Sequence, residues 1–577
     1  MPPEAPSPQV LRDYALLADG ERGALVGPAG EAVWLCAPGW DSPAVFSTLI
    51  GGPGWYRVGP AGPAVHSGYY EAGSLVWRAR WVTTGGMVEC RQALAMPGDP
   101  HRLVLLHRIR AVDGPAAVDV LLRPAAEFGE APLRRLRRAE DGTWRARAGA
   151  LRLRWTGAPQ AVPGAHGTEL AAAVRLAPGE QSDLVLELSD RPLPDPEPPD
   201  HLWRATEFAW QRTVPDPEPA GMLGARDARH ARVVLHGLTT GSGGTVAAAT
   251  TSLPERAAQG RNYDYRFVWI RDLCYLGQAA AAGGDLPLLD GAVDFLTARL
   301  LDHGPDLSPA YTAAGRRIPD QQRLNLPGYP GGFDVVGNQV RHQFQLDVFG
   351  EGLLLLAAAA RLDRLGPDGR AAARLAARAV RDRHREPDAG IWELYPDRWA
   401  HSRLICAAGL RAAAAAGLGG ADWLALADRI VAGTADCLHP SGRWQRSPTD
   451  PRVDAALLLP GLRGAVPADD PRTRATLHAV RTELGEDHFA YRFRQDDRPP
   501  ADAEGAFLLC GFLMALAEQQ QGNRVAAARW FERNRAACGG PGLYAEEYDV
   551  AQRQLRGNLP QAFVHALLLE AAARLGG

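Results

Sequence analysis

RPLPDPEPPD, Arg191 to Asp200, divides two unlike textures of sequence. Prolines at this density remove backbone donors and push their neighbours to extended conformations, so the stretch reads as linker. Before it, from Leu11 to about Leu188, short alternating runs are separated by Gly, Pro and Asp, among them Leu75 to Val82, Leu103 to Arg110, Leu151 to Trp155 and Leu184 to Leu188. That period-two pattern at close spacing predicts an antiparallel β-sandwich. After it come a short amphipathic stretch, about Leu202 to Arg212, and a second proline-rich tract, Pro215 to Pro219. Beyond Gly224 the texture becomes long apolar-periodic segments rich in Ala, Leu and Arg, about twelve of them. They include Ala231 to Leu238, Leu273 to Ala282, Leu286 to Leu301, Gln345 to Leu362, Arg370 to Asp382, Arg403 to Ala416, Trp423 to Cys437, Ala475 to Leu484, Ala506 to Gln520, Val525 to Ala537 and Ala562 to Leu575. Helices with no strands between them give an all-α domain, and a closed toroid of six helix pairs would use twelve. A solenoid or an irregular bundle shows the same periodicity, although no fixed repeat period is visible. The expected organisation is a β-sandwich domain over residues 1–200, a linker with a short helix over 201–225, and a helical barrel over 226–577.

The chain has 577 residues, more than one hydrophobic core usually supports. Its 63 basic and 66 acidic residues nearly cancel, leaving no electrostatic footprint for nucleic acid. Every basic residue is Arg; together with the Ala, Gly and Pro richness, this reads as coding bias rather than function. Seven cysteines without CxxC or Cys/His spacing argue against a disulfide framework and a zinc site. No metal and no cofactor is expected. The N-terminus lacks the pattern of a secretory leader, and no apolar stretch is long enough to span a bilayer, so a cytoplasmic location and no membrane partner are expected. Homo-oligomer formation is left open.

Three motifs carry candidate chemistry. Arg261 to Asp272, RNYDYRFVWIRD, mixes four aromatic and five charged residues. That mixture suits a pocket wall, where aromatic faces pack on sugar C–H surfaces while Arg and Asp hydrogen-bond hydroxyls. Arg261 and Asp264 taken singly read as structural. DAGIWE, Asp388 to Glu393, sets a carboxylate after Ile and Trp beyond a glycine turn. Apolar neighbours would keep Glu393 protonated long enough to donate, and an acidic first-turn helix residue is an equally good local reading. YAEEYD, Tyr544 to Asp549, places Glu546 and Glu547 between aromatics, ahead of GNLPQAFVHALL, which turns sharply into a helix starting near Gln561. A solvated acidic loop is the ordinary fate of such a cluster; the turn into a helix entrance favours function. His401, at the start of another apolar helix, reads as a capping or core residue.

These residues resemble glycoside hydrolase family 15, the glucoamylase-like enzymes, in the bacterial form with an N-terminal antiparallel β-sandwich followed by an (α/α)6 barrel. The resemblance runs nearly end to end. It includes DYALLADGERGALVGPAGEAVWLCAPGWDSPAVF, TTSLPE at Thr250 to Glu255, RNYDYRFVWIRD, GNQVRHQFQLDVFGE at Gly337 to Glu351, PDAGIWE, HSRLIC, EGAFLLC at Glu504 to Cys510, and AEEYD with GNLPQAFVHA. It implies an inverting, exo-acting α-glucoside hydrolase with Glu393 as general acid and Glu546 as general base. By the same resemblance Tyr265, Trp269, Arg271 and Asp272 line the pocket for the non-reducing-end glucose, and Trp392 and Glu547 belong to the substrate-binding set. Inversion leaves room for a water, which sets an expected carboxyl separation of roughly 6.5–9.5 Å.

Two departures concern the subsite for the leaving sugar. PGGFDVVGN stands where relatives carry an arginine-containing segment, and the RFDSP loop reads GWDSP, making Phe333 and Trp40 candidate contacts. The expected partner is a short, neutral α-glucoside. The altered loops lean toward α-1,6 isomaltose-type substrates, then α-1,4 maltooligosaccharides, with trehalose as the alternative within the family. Alternatives of another class are a glycoside phosphorylase, disfavoured because adjacent carboxylates repel phosphate, and an inactive sugar-binding protein.

Overall fold

The computed structural model describes residues 5–214, 222–257 and 260–576; the tract Pro215 to Pro219 lies outside them. Two antiparallel sheets, of eight and nine strands, form the N-terminal part. The long strand Arg102–Asp113 pairs with Gly86–Leu94 on one side and Gln181–Ser189 on the other. Alternate residues of Trp77–Thr83 and Ala116–Arg123 are buried, as a half-covered pleat requires. The core between the sheets gathers Tyr56, Trp77, Trp81, Leu105, Leu122, Trp155 and Leu186. The expected runs appear as Trp77–Thr83, Arg102–Asp113, Leu151–Thr156 and Gln181–Ser189.

A helix α1, Pro199–Thr213, follows the proline-rich stretch and lays Trp203, Leu202 and Trp210 against the protein. The helical part then runs α2 Ala225–Leu238, α3 Ile270–Gly283, α4 Leu286–His303, α5 Asp347–Arg361, α6 Pro367–Arg383, α7 Ala400–Ala415, α8 Ala421–Gly433, α9 Leu459–Leu462, α10 Pro471–Glu483, α11 Pro500–Ala503, α12 Leu508–Gln520, α13 Arg524–Arg535 and α14 Ala562–Gly576. Helices α3, α5, α7, α9, α12 and α14 touch in that order, and α14 closes back on α3. Against their outer faces pack α4, α6, α8, α10, α13 and α2. This is an (α/α)6 barrel. The inner helices are apolar almost all round: every residue of α5 from Asp347 to Ala359 is buried, as is every residue of α12 from Leu508 to Glu518.

Close inner packing depends on missing side chains. A Cβ on Gly350 would lie 2.7 Å from Cys406 N, and one on Gly409 would lie 2.4 Å from Gly350 O, so α5 and α7 approach backbone to backbone. One inner place is filled by a short element, the 3-10 turn Ala455–Leu458 running into α9. Residues Ala506 and Phe507, expected as the start of a helix, instead pair with Tyr548 and Glu547 in a small sheet. A single apolar core joins barrel and sandwich through Trp34, Trp40 and Trp203, and Trp34 Nε1 donates to Ala249 O at 2.8 Å. No helix among the described residues is long and apolar enough to cross a membrane.

Candidate active site

A cavity of about 500 Å³ opens over the N-terminal ends of the inner helices. The segment leading into each of the six contributes to its wall: Tyr265 and Trp269 before α3, Gln343 before α5, Trp392 and Glu393 before α7, Arg446 and Arg452 before α9, Arg492 and Phe507 before α12, Glu546 and Gln561 before α14. The volume and the mix of aromatic faces with converging polar groups fit a ligand of one or two sugar rings.

Glu393 sits in a tight turn with φ +55°, its N–H donating to Gly390 O at 3.2 Å. A left-handed conformation disfavours a residue with a Cβ, and such strain collects at functional positions. Its Oε1 accepts from Trp269 Nε1 at 2.7 Å and lies 3.7 Å from Arg271 Nη2. Arg271 donates to Ile391 O at 2.8 Å, tethering the DAGIWE turn to the start of α3, and to Asp272 Oδ1 at 3.1 Å. Burial raises the Asp272 carboxyl to about 6 despite the adjacent guanidinium. The apolar enclosure expected around Glu393 is absent: its side chain is 27% exposed and its polar partners are an indole N–H and an arginine.

Glu546 is 6% exposed, and its Oε2 accepts from the Tyr265 hydroxyl at 3.1 Å. Burial, then the neighbouring Glu255 carboxylate, pushes its carboxyl well above the usual range. Tyr265 meets Trp269 edge to face, with ring centroids 5.5 Å apart. The two glutamates are therefore linked, carboxylate to ring to ring to carboxylate, along one wall. Trp392 also lines the cavity, its Nε1 donating to Asp454 at 2.8 Å and its ring set edge to face on Phe507.

Three expected contacts fall elsewhere. Glu547 is fully buried and accepts from Gly505 N at 2.8 Å, because neighbouring residues entering a strand point to opposite sides and Glu546 takes the cavity side. Trp40 is 1% exposed and donates to Gly20 O at 2.8 Å; it packs in the core between sandwich and barrel. Its loop acts from behind the wall, where the carbonyls of Trp40 and Ser42 accept from Arg266, itself paired with Asp264. Phe333 is 40% exposed beside Arg323 and outside the cavity; Asn338, Gln339 and Val340 of the same segment line it instead. Asp264 is structural as expected, fully buried against Arg266 and the Gly337 N–H, whereas Arg261 stands in the cavity wall and bonds Gln495. His401 is a core residue of α7, its imidazole held neutral by burial, with its pKa lowered to about 3.

Sequence reasoning missed Glu255, Arg492, Gln495, Arg446 and Arg452 in the wall. The alternation of aromatics and arginines in YRFR, Tyr491 to Arg494, was a usable signal of the kind recognised in RNYDYRFVWIRD. Among the described residues, no cluster of His, Cys, Asp and Glu could hold a metal ion.

Comparison with known proteins agrees with this architecture. The profile described as Glycosyl hydrolases family 15 matches residues 232–573, and one described as Trehalase-like, N-terminal matches residues 5–191. Trehalase of Mycolicibacterium smegmatis is 30% identical, the match covering 98% of this chain and 91% of that protein. Trehalase of Mycobacterium tuberculosis is also 30% identical, with 98% and 89% covered. Among solved structures, a bacterial glucoamylase complexed with acarbose superposes with a TM-score of 0.71 at 14% identity, over 100% of this chain and 95% of the other, a likeness of fold.

Proposed function

Because the chain belongs to glycosyl hydrolases family 15 and is a glycoside hydrolase, we propose that its cavity cleaves α,α-trehalose with inversion, Glu393 acting as general acid and Glu546 as general base. One observation carries the chemistry: two carboxylates from distant parts of the chain face one cavity, one half-open beside an indole donor and an arginine, the other enclosed. Glu393 gives its proton to the glycosidic oxygen as the C1–O bond breaks; the indole N–H and Arg271 stabilise the carboxylate left behind. Glu546 accepts a proton from a water that attacks C1 from the opposite face. The Tyr265 hydroxyl orients Glu546, and its ring sits beside the positive charge that develops at C1.

Similarity to two trehalases over nearly the whole of each chain supports trehalose over isomaltose as the substrate, and the match of the sandwich to a trehalase-like N-terminal profile points the same way. Trehalose presents only hydroxyls at both ends, and the wall offers hydrogen-bonding groups on many sides: Arg271 and Asp272, Arg261 and Gln495, Arg492, Asn338 and Gln343. The expectation of isomaltose rests on the altered PGGFDVVGN and GWDSP loops, whose Trp40 and Phe333 stand outside the cavity while Asn338 lines it. The test is kcat/KM for trehalose, isomaltose, maltose and maltotriose under one condition. Trehalose is expected to lead by at least about tenfold, the scale of one well-made hydrogen bond to a substrate hydroxyl; isomaltose or maltose leading by that margin would overturn the substrate assignment.

A further inference from the structure

Charge is balanced over the whole chain but not over one face of the sandwich. Residues 131–154 carry eight arginines against two acids, Glu140 and Asp141. They form the strands Ala131–Arg138, Trp144–Ala148 and Leu151–Thr156, neighbours toward one end of the nine-stranded sheet. Directly opposed residues of paired strands share a face, and here the register sets like on like: Arg134 opposes Arg147, which opposes Arg152, and Arg137 opposes Arg145, which opposes Arg154. Like charges so placed destabilise a sheet. Elsewhere on the same face the arginines meet carboxylates: Arg80 donates to Glu89 at 2.7 Å, Arg108 to Asp183 at 2.8 Å, and Arg102 and Arg154 both to Glu187. Among the described residues the other five opposed arginines pair with no carboxylate. Asp141, which feels Arg145, stands at the hairpin tip, where its Oδ1 accepts from Thr143 N at 2.9 Å.

Charge on an edge strand guards against edge-to-edge pairing, and Ala131–Arg138 is such a strand beyond its short contact with Ala125–Ala126. That accounts for Arg134 and Arg137. It does not account for Arg145, Arg147 and Arg152, which lie on interior strands. We propose that this face docks a short, extended acidic segment of a partner protein, whose carboxylates neutralise the two rows of guanidinium groups. Alternate residues of an extended chain stand about 6.8 Å apart, so carboxylates on every second residue match the distance between the rows. Guanidinium groups take carboxylates through paired hydrogen bonds. The patch is also small and bordered by its opposites: Glu140 and Asp141 at the hairpin tip, and Glu197 of the linker, whose Pro194 O accepts from Arg154. A membrane surface or a long phosphate track would meet those acids; a segment a few residues long does not. The six side chains of the two rows include no aromatic ring on which bases could stack. The bulge between Arg134 and Arg137, with Arg135 at φ +55°, interrupts the strand edge and so directs the segment onto the face.

The test is fluorescence anisotropy of full-length protein with a labelled peptide of alternating Asp and Thr, about eight residues long. At about 0.05 M salt this peptide is expected to bind at least about tenfold more tightly than the same peptide with Asn for Asp, an advantage that shrinks at about 0.5 M. Arg147→Glu sets an acid between Arg134 and Arg152. It is expected to weaken the acidic peptide by at least about tenfold and, because it ends two like-charge contacts, to leave the melting temperature unchanged or higher. Arg147→Gln, which removes the charge without reversing it, repeats the test with an expected loss of about threefold. Arg374→Glu, at an exposed arginine of α6, makes the same change of net charge elsewhere and is expected to alter binding by less than about twofold. No preference for the acidic peptide, or a loss in Arg147→Glu no larger than in Arg374→Glu, would overturn the proposal. So would displacement of the labelled peptide by a short DNA duplex, or by vesicles of one part phosphatidylglycerol to three of phosphatidylcholine, at a lower concentration of charge than the unlabelled peptide needs.

Discussion

Replacing Trp269 by phenylalanine keeps an aromatic ring edge-on to Tyr265 and deletes the indole N–H that Glu393 Oε1 accepts at 2.7 Å. In the ground state of the proposed reaction Glu393 is a carboxylic acid; at the transition state it is becoming a carboxylate, a stronger acceptor. The bond therefore tightens as the proton leaves, so its loss falls on kcat more than on KM. A hydrogen bond to a charged group contributes about 1.5–3 kcal/mol net, which spans roughly ten- to a hundred-and-fifty-fold in rate. The Glu393 side chain is 27% exposed, so water partly replaces the indole and the loss should lie near the lower end, about tenfold. Steady-state kinetics on trehalose, with α-glucosyl fluoride in parallel, separates the causes. Fluoride departs without a donor, so Trp269→Phe should leave its hydrolysis within about threefold of wild type while trehalose turnover drops. Equal losses on both substrates would refute the idea that the indole serves the acid, and a change confined to KM would make it a substrate contact.

Further outcomes follow from the same geometry. Glu546→Ala should lower kcat by about a thousandfold, within the range for loss of a general base, and added azide should restore turnover of α-glucosyl fluoride as β-glucosyl azide. Gly350→Ala should destabilise the protein by about 1–3 kcal/mol, read as a lower unfolding midpoint in denaturant, because its Cβ would meet the α7 backbone at 2.7 Å. Burial raises the Glu351 carboxyl, whose Oε2 accepts from Gln278 at 2.9 Å, from about 4.5 to about 7. A raised carboxyl pKa contributes stability that is complete below the unfolded value near 4.5 and is lost as pH climbs through 7, a difference of about 3 kcal/mol. Glu351→Gln should therefore flatten the fall in melting temperature between pH 5 and 8, and an unaltered slope would show that Glu351 does not titrate there.

Much of this molecule was legible in its sequence, and the exceptions share a cause. Helices such as α5 and α7 announce themselves because an inner barrel helix is apolar over nearly its whole surface and an outer one is striped. The place filled by α9 does not, because Ala455 to Leu462 turns as a 3-10 helix before Pro460 and Gly461 and never shows a full period. Glu393, Glu546, Tyr265, Trp269, Arg271 and Asp272 could be picked out because each motif combines aromatic and charged residues that neither a core nor a solvated face needs. Their burial could not. Glu547 differs from Glu546 only by the side of a strand it takes, and that side is set by pairing with Phe507, forty residues away. Trp40 stood in a loop that varies from the family pattern, yet its indole is spent on Gly20 and its influence arrives through Arg266 and Asp264. Glu255 ends a proline turn that looks like any surface acid, and only the meeting of three distant segments shows its company with Tyr265 and Glu546.

The most direct test of the account is proton NMR of the glucose anomers formed in the first moments of trehalose hydrolysis, before mutarotation mixes them. An inverting attack at one C1 yields one β-glucose from the ring that is attacked and one α-glucose from the ring that leaves, so the account predicts equal α and β signals at the earliest times. Accumulation of α-glucose alone would mean retention and would contradict Glu393 and Glu546 as an inverting acid–base pair.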